Sequence, residues 1–183
     1  MASVLVPLAQ GCEELEAVTI IDLLRRAGIE VVTAGLDDRP VRGSRGTVLV
    51  PDTLLDNVME REFDMIALPG GLPGADNLNA DPRIHVLLKA IAGRGRYTAA
   101  ICAAPKVLAT AGLLDGRRYT SFPGAVDAAL TGPIYEAGAV VRDGALITSR
   151  GPGTAMDFAL TLIEVLEGES RRREVEAPLQ RSG

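Results

Sequence analysis

Short apolar, β-branched runs alternate with stretches of helical periodicity along most of this chain. The runs that indicate strands are residues 3–8, 30–34, 65–68, 97–101 and 145–148. Strands separated by helices pair in parallel through right-handed crossovers. Runs that are apolar throughout, such as MIAL at 65–68, are typical of strands covered on both faces. The pattern therefore predicts an α/β fold with helices on both sides of a mostly parallel sheet.

Helices and hairpins fill the intervals between these strands. The predicted helices are 14–26, one that Pro82 opens, one with Pro105 in its first turn, and 154–166, with Gly28 and Gly168 as stops. Two hairpins are predicted as well, at 140–148 around Asp143-Gly144 and at 41–50 around the turn Gly43 to Gly46. Two antiparallel hairpins added to a parallel sheet predict a flavodoxin-like three-layer sandwich.

Length and composition restrict the organisation and the partners. The 183 residues, 47% of them hydrophobic, match one compact domain spanning 1–183, without low-complexity tracts or repeats. A net charge of −5 repels phosphate backbones, so nucleic acid is not an expected partner. The first residues, MASVLVPLAQG, lack the features of a signal peptide and are too short to cross a membrane. We therefore expect a cytoplasmic protein.

Cysteine and histidine are scarce in this chain. Cys12 and Cys102 have no metal-type spacing, and His85 is the single histidine. In a cytoplasmic chain this pattern indicates free thiols, and we expect no bound metal.

Cys102 lies where an extended apolar run changes to a helical pattern, in YTAAICAAPKVLATAGLL. Small residues two before and two after it, Ala100 and Ala104, are typical of a nucleophile elbow. A thiol there would lie at the carboxyl end of the sheet and at a helix N-terminus, which predicts a lowered thiol pKa and a reactive cysteine. The alternative is a buried structural thiol.

Four separated motifs resemble one known family. EELEAVTIIDLLRRAGIEV, LPGG, AAICAAP and SRGPGTAMDFAL are similar to the ThiJ/PfpI superfamily, in the branch of the Parkinson-disease-associated protein deglycase and bacterial YajL-like proteins. The similarity runs from about residue 4 to residue 179. It implies a flavodoxin-like fold of the class I glutamine amidotransferase type, a homodimer, and an elbow cysteine at Cys102.

The resemblance assigns roles to residues that the pattern alone leaves open. It implies that Glu16 is the protonated partner of the thiolate, whereas acidic residues at a helix N-terminus also favour the helix dipole without any catalytic task. It implies an oxyanion pocket formed by the N–H groups of Gly71 and Ala103 beside Gly70, although Pro69-Gly70-Gly71 also fits an ordinary turn.

Outside this pocket, the resemblance implies that Pro152 shapes the far side and that Arg45 reaches toward the partner subunit's site. Cys12 follows the first strand and is a possible redox partner for an oxidised Cys102, or simply a packed small residue.

Two positions depart from other relatives. Phe122 stands where many relatives place a histidine, and Ala103 stands where peptidase-like and amidotransferase-like relatives carry a histidine. A Cys-His-Asp triad is therefore excluded, which disfavours peptidase and amidotransferase activity.

Two functions remain for a cysteine paired with a carboxyl group. The resemblance implies a cofactor-free enzyme acting on methylglyoxal-type 2-oxoaldehydes or on early glycation adducts, in which Cys102 forms a hemithioacetal and Glu16 moves protons. The alternative is an oxidative-stress sensor or redox-regulated chaperone in which Cys102 becomes a sulfinic acid. The sequence does not separate the two functions.

Overall fold

The computed structural model describes residues 1–130 and 132–181. Its helices are Glu14–Arg26 (α1), Gly74–Ala80 (α2), Pro82–Gly93 (α3), Pro105–Thr110 (α4), Ala155–Glu167 (α5) and Glu169–Glu176 (α6). The longer strands are Ser3–Leu8 (β1), Glu30–Gly35 (β2), Met65–Leu68 (β6), Tyr97–Ile101 (β7), Val140–Asp143 (β10) and Leu146–Ser149 (β11). The two-residue strands are Val41–Arg42 (β3), Val48–Leu49 (β4), Thr53–Leu54 (β5), Arg118–Tyr119 (β8) and Ile134–Tyr135 (β9).

In the part of the chain that the structure describes, seven strands form the central sheet in the order β10-β11-β7-β6-β1-β2-β5. All neighbours pair in parallel except β10 and β11, which form an antiparallel hairpin. Parallel pairing brings the carboxyl ends of β1, β6, β7 and β11 to the same edge of the sheet. The loops after these strands therefore meet there.

Apolar side chains cover both faces of the sheet. One buried cluster includes Ile20 of α1 and Phe158 of α5, and these two helices pack against each other. The opposite cluster includes Ile84 and Leu88 of α3 and Leu108 of α4. The three-layer sandwich predicted from the sequence is confirmed.

The predicted elements agree closely with the observed ones, with one correction. The helix predicted at 14–26 has those bounds, and Gly28 adopts φ +76°, as a helix stop requires. The hairpin predicted at 41–50 forms, but β3 and β4 pair only with each other and not with the central sheet. Its turn is held instead by side chains from α1, so the prediction that both hairpins extend the sheet is wrong for this one.

Candidate active site

Cys102 occupies the turn between β7 and α4 in a left-handed conformation, with φ +62°. Its N–H donates to the Ser149 carbonyl oxygen at 2.9 Å, and its own carbonyl accepts from the Phe122 N–H at 2.9 Å. Such a conformation is rare for a residue with a side chain, and persists where the surroundings hold it. Ala100 and Ala104 are fully buried around the turn, which therefore has the sharp elbow that the sequence predicts.

Glu16 reaches the elbow from the first turn of α1. Its carboxyl is fully buried, and Oε2 accepts the Gly70 N–H at 2.8 Å. Within the described residues, Oε1 has no nitrogen or oxygen partner. Burial raises the pKa of Glu16 to about 7, against the lowering effects of the Gly70 N–H and the Cys102 thiol, while the charge of Glu13 raises it further. Glu16 can therefore carry a proton near neutral pH.

The surroundings of the thiol correct one prediction. Burial, followed by the negative charge of Glu16, raises the pKa of Cys102 to about 12, against the N–H groups of Gly71 and Ala103 that favour the thiolate. The lowered pKa predicted from a helix N-terminus is therefore wrong for a site with an ionised Glu16. The helix α4 is only six residues long and begins three residues after the cysteine, so its dipole does not offset burial beside a carboxylate.

Cys102 and Glu16 together act as one titrating pair. Protonation of Glu16 removes a negative charge that opposes the thiolate, so the pKa of the Cys102 thiol is lower when Glu16 holds the proton than when Glu16 is charged, although burial still raises it. The arrangement can therefore supply a nucleophile and an acid side by side.

Two glycines let these groups approach one another. A Cβ on Gly70 would lie 2.7 Å from Cys102 Cβ and 2.8 Å from Glu16 Oε2. Gly71 has φ +86°, and a Cβ there would lie 2.3 Å from the Glu13 nitrogen. Glycine at both positions brings the Gly70 N–H to the carboxyl and the Gly71 N–H to the thiol.

The loop between β11 and α5 follows Ser149, whose carbonyl accepts the Cys102 N–H. Ser149 Oγ donates to the Ala139 carbonyl at 2.7 Å and lies 2.7 Å from Thr154 Oγ1. Pro152 opens a short 3₁₀ turn and is exposed. The Phe122 ring lies against this loop, 3.6 Å from where a Cβ on Gly151 would be, and the side chain is 51% exposed.

Arg45, Cys12 and His85 are the remaining residues that the sequence analysis names. Arg45 is exposed on the turn between β3 and β4. Cys12 is buried, and burial followed by the charges of Glu14 and Glu13 raises its thiol pKa to about 11. Its role as a redox partner stays a prediction. His85 lies half-buried on α3, where Nε2 is 2.8 Å from the Asn79 carbonyl oxygen.

Sequence reasoning missed the residues that hold this site together. Ser149 and Phe122 bind the backbone of Cys102, and the Glu13 N–H donates to the Gly70 carbonyl at 2.9 Å. Glu14, a buried carboxylate, binds the turn at 43–47. Ser149 ends β11 and Glu13 adjoins Cys12, whereas Phe122 stands out in the sequence only as a departure from other relatives.

No group of three or more His, Cys, Asp or Glu side chains in residues 1–130 and 132–181 could hold a metal ion. In the same described residues, the helices are too short or too polar to cross a membrane.

Fold and site together define a flavodoxin-like α/β protein with a buried cysteine-carboxyl pair at the carboxyl ends of its parallel strands. The sequence profile of the DJ-1/PfpI family matches residues 2–165. The chain belongs to the DJ-1/PfpI family, as its motifs predict.

Named relatives agree with this assignment over nearly the whole chain. The sequence is 44% identical to the Parkinson disease protein 7 homolog of Danio rerio over 179 residues, covering 96% of this chain and 95% of that protein. It is 37% identical to the glutathione-independent glyoxalase DJR-1.2 of Caenorhabditis elegans, covering 97% and 95%.

Solved structures show the same fold. Drosophila melanogaster DJ-1beta superposes with a TM-score of 0.94 at 42% identity, covering 100% of this chain and 99% of that one. An oxidised form of Toxoplasma gondii DJ-1 superposes with a TM-score of 0.93 at 40% identity, covering 100% of both chains.

Proposed function

We propose that this protein is a cofactor-free enzyme that converts methylglyoxal-type 2-oxoaldehydes to 2-hydroxy acids through a hemithioacetal on Cys102. The observation that carries the proposal is the buried Cys102–Glu16 pair, faced by the N–H groups of Gly71 and Ala103. A relative named as a glutathione-independent glyoxalase supports the reaction class.

The first step would form the carbon–sulfur bond. The Cys102 thiolate attacks the aldehyde carbon, and the N–H groups of Gly71 and Ala103 stabilise the negative charge that develops on the oxygen. Protonated Glu16 gives its proton to that oxygen, which leaves a neutral hemithioacetal and a Glu16 carboxylate. Since burial raises the pKa of Glu16 to about 7, the carboxyl can both give and accept a proton near neutral pH.

The second step moves hydrogen between the two carbons. The Glu16 carboxylate removes the proton from the former aldehyde carbon, which gives an enediol, and returns it to the neighbouring carbon that was the ketone. The hydroxyl proton of the hemithioacetal passes to the former ketone oxygen, so the first carbon is oxidised and the second reduced. The product is a thioester of Cys102. Water then hydrolyses the thioester, releasing lactate from methylglyoxal and restoring the thiol. No external oxidant or reductant enters this sequence.

Early glycation adducts of thiols and amines are the proposed further substrates. These adducts regenerate the free aldehyde when the bound thiol or amine leaves, and the same pair would then attack the released carbonyl. We place the reaction in the cytoplasm, where thiols stay reduced.

The test is the loss of methylglyoxal and the appearance of lactate with purified protein. We expect Cys102→Ala to lose turnover and Glu16→Gln to fall about 100-fold or more, the usual contribution of a general acid-base group. Cys12→Ser is the matched control and should retain turnover. Turnover in Cys102→Ala equal to that of the unmodified protein would overturn the proposal.

A second function has its own support. The N–H groups and the protonated carboxyl that suit a thiolate would also bind the oxygens of a sulfinic acid, and one structural relative was solved in an oxidised form. Redox sensing, or chaperone action controlled by oxidation, is therefore the alternative proposal. A stable gain of two oxygens confined to Cys102 after mild peroxide, without aldehyde turnover, would favour it.

We further propose that a second copy of this chain covers an aliphatic patch formed by Leu15 and Val18 on α1 and by Val48 and Val50 around β4. These side chains are between 45% and 79% exposed, and large exposed apolar patches are uncommon on monomers. Arg45 lies on the same hairpin, and we propose, as the family resemblance implies, that it reaches toward the partner subunit's site.

A further inference from the structure

Glu14 carries a buried carboxylate to which the proposed reaction gives no task. Its side chain is 9% exposed and turns away from Cys102, toward the turn between β3 and β4. Oε1 accepts the N–H of Arg45 at 3.0 Å and that of Thr47 at 3.2 Å. Although burial acts to raise it, the pKa of Glu14 is lowered to about 2 by its own N–H and by those of Arg45 and Thr47. The carboxylate is therefore charged throughout the physiological range.

The turn is shaped to receive this carboxylate. A Cβ on Gly43 would lie 2.5 Å from Glu14 Oε2, so a larger residue there would displace the carboxylate. The Ser44 N–H donates to the Cys12 carbonyl at 2.8 Å, which fixes the turn to the loop that precedes α1. The turn is thus attached both to Glu14 and to the backbone beside it.

Ser44 connects the turn to a second carboxylate. Its Oγ lies 3.0 Å from Glu13 Oε2 and 3.3 Å from Glu14 Oε2. A hydroxyl has one proton to donate, so Ser44 can donate to one carboxylate at a time, and the shorter distance is to Glu13. The Glu13 N–H meanwhile binds the carbonyl of Gly70, whose N–H binds Glu16. Glu13 is therefore fixed next to the catalytic pair at both its backbone and its side chain.

We propose that Glu14 is a positioning residue for the catalytic pair. Its carboxylate fixes the 43–47 turn, the turn places Ser44, and Ser44 holds the charge of Glu13 beside Glu16. This inference rests on the proposed function for its purpose, because Glu13 then helps to keep a proton on Glu16.

The charged groups around Glu13 and Glu16 can be named element by element. The titratable groups next to Glu13 and Glu16 are the thiols of Cys12 and Cys102 and the carboxylate of Glu14. The hairpin also carries Arg42 and Arg45, and the loop after β11 carries Arg150, all three of them exposed. The connection 69–73 carries no titratable side chain. Burial acts first to raise the pKa of Glu16, and the neighbouring charge that raises it further is that of Glu13 itself.

The test measures the pH dependence of Cys102 alkylation by iodoacetamide, read peptide by peptide so that Cys12 does not interfere. Glu13→Gln removes the Glu13 charge, so its shift of the alkylation profile is the largest that the other variants should produce. Ser44→Ala removes the hydroxyl but leaves the Arg45 and Thr47 N–H groups on Glu14. Glu14→Gln releases the whole turn. Glu60→Gln, at an exposed position, is the control for loss of one surface charge.

We expect the first three variants to shift the profile to lower pH, raising the rate at pH 6 relative to pH 9 about two- to threefold. Glu60→Gln should superimpose on the unmodified protein. If Ser44→Ala and Glu13→Gln keep the original profile, the proposal is overturned, even if Glu14→Gln fails to fold. Alkylation needs no aldehyde turnover, so an absence of glyoxalase activity would leave this test intact.

Discussion

Gly70 is the residue on which the geometry of the pair depends most directly. A Cβ at that position would enter the space of Cys102 Cβ and Glu16 Oε2, at 2.7 and 2.8 Å. We therefore expect Gly70→Ala to reduce aldehyde turnover at least about tenfold and to lower the free energy of unfolding by about 1–3 kcal/mol. Gly93→Ala is the control, because nothing lies within 4 Å of a Cβ there. Equal activity of the two variants would contradict this account of Gly70.

Glu16 should leave a pH signature in stability as well as in catalysis. Its pKa is raised to about 7 in the folded protein from an ordinary value of 4.5, so the folded state binds the extra proton between these values. Stability is therefore lost as the pH rises from 4.5 through 7, and is constant above that range. Glu16→Gln removes this loss. Urea denaturation should show the variant gaining stability relative to the unmodified protein between pH 5 and pH 8; a constant difference would refute the assignment.

At the scale of single residues, the sequence predicts the elbow but not the state of its thiol. The switch from strand to helix and the flanking alanines identify Cys102, because these features are local. The pKa depends on burial and on Glu16, which lies 86 positions away in the sequence (102 − 16). Only folding brings the two together, so the local helix-dipole argument gives the wrong sign.

Among the elements, Ser149 at the end of β11 holds the loop that follows this strand. Ser149 is fully buried and its hydroxyl joins the Ala139 carbonyl and Thr154 Oγ1. We expect Ser149→Ala to lower the free energy of unfolding by about 1–2 kcal/mol, because the buried hydroxyl loses its hydrogen bonds to the Ala139 carbonyl and Thr154 Oγ1, each of which keeps another partner. The backbone bond from Cys102 to the Ser149 carbonyl is unaffected by the change. Urea denaturation measures the effect; Thr110→Ala, at an exposed helix end, is the matched control and should be near neutral.

The sequence predicts that the hairpin β3–β4 exists but does not predict where it lies in the fold. Its turn residues predict the hairpin correctly, since Gly43 and Gly46 are local signals. Its position does not follow from them, because the contacts that hold it come from Glu14 and the Cys12 carbonyl. The same limit applies to α2 and the two-residue strands, whose short segments carry too little periodicity to identify.

For the whole molecule, the order of strands and helices is enough to predict the architecture. Parallel strands joined by right-handed crossovers leave few arrangements, and the loops after β1, β6, β7 and β11 then meet at one edge. Family membership, shown over residues 2–165, agrees with that architecture. The oligomeric state is a different matter, because it depends on which exposed apolar residues a partner covers.

The dimer proposal makes a prediction at this scale. Val50→Asp would place a charge in the aliphatic patch at a side chain that is 79% exposed, so the fold itself should tolerate it. We expect the variant to sediment as a monomer and the unmodified protein as a dimer. Val86→Asp, at an exposed position on α3 away from the patch, is the control and should leave the dimer unchanged. A monomeric unmodified protein would contradict the proposal.

In the proposed mechanism, Cys102 and Glu16 share one proton and react as a pair. The most direct measurement is the rate of Cys102 alkylation across pH in the unmodified protein and in Glu16→Gln. We expect the alkylation rate of the unmodified protein to depart from a single ionisation at the ordinary thiol pKa of about 8.5, and Glu16→Gln to change the shape of its pH dependence. Identical profiles, both titrating at the ordinary thiol value, would contradict it.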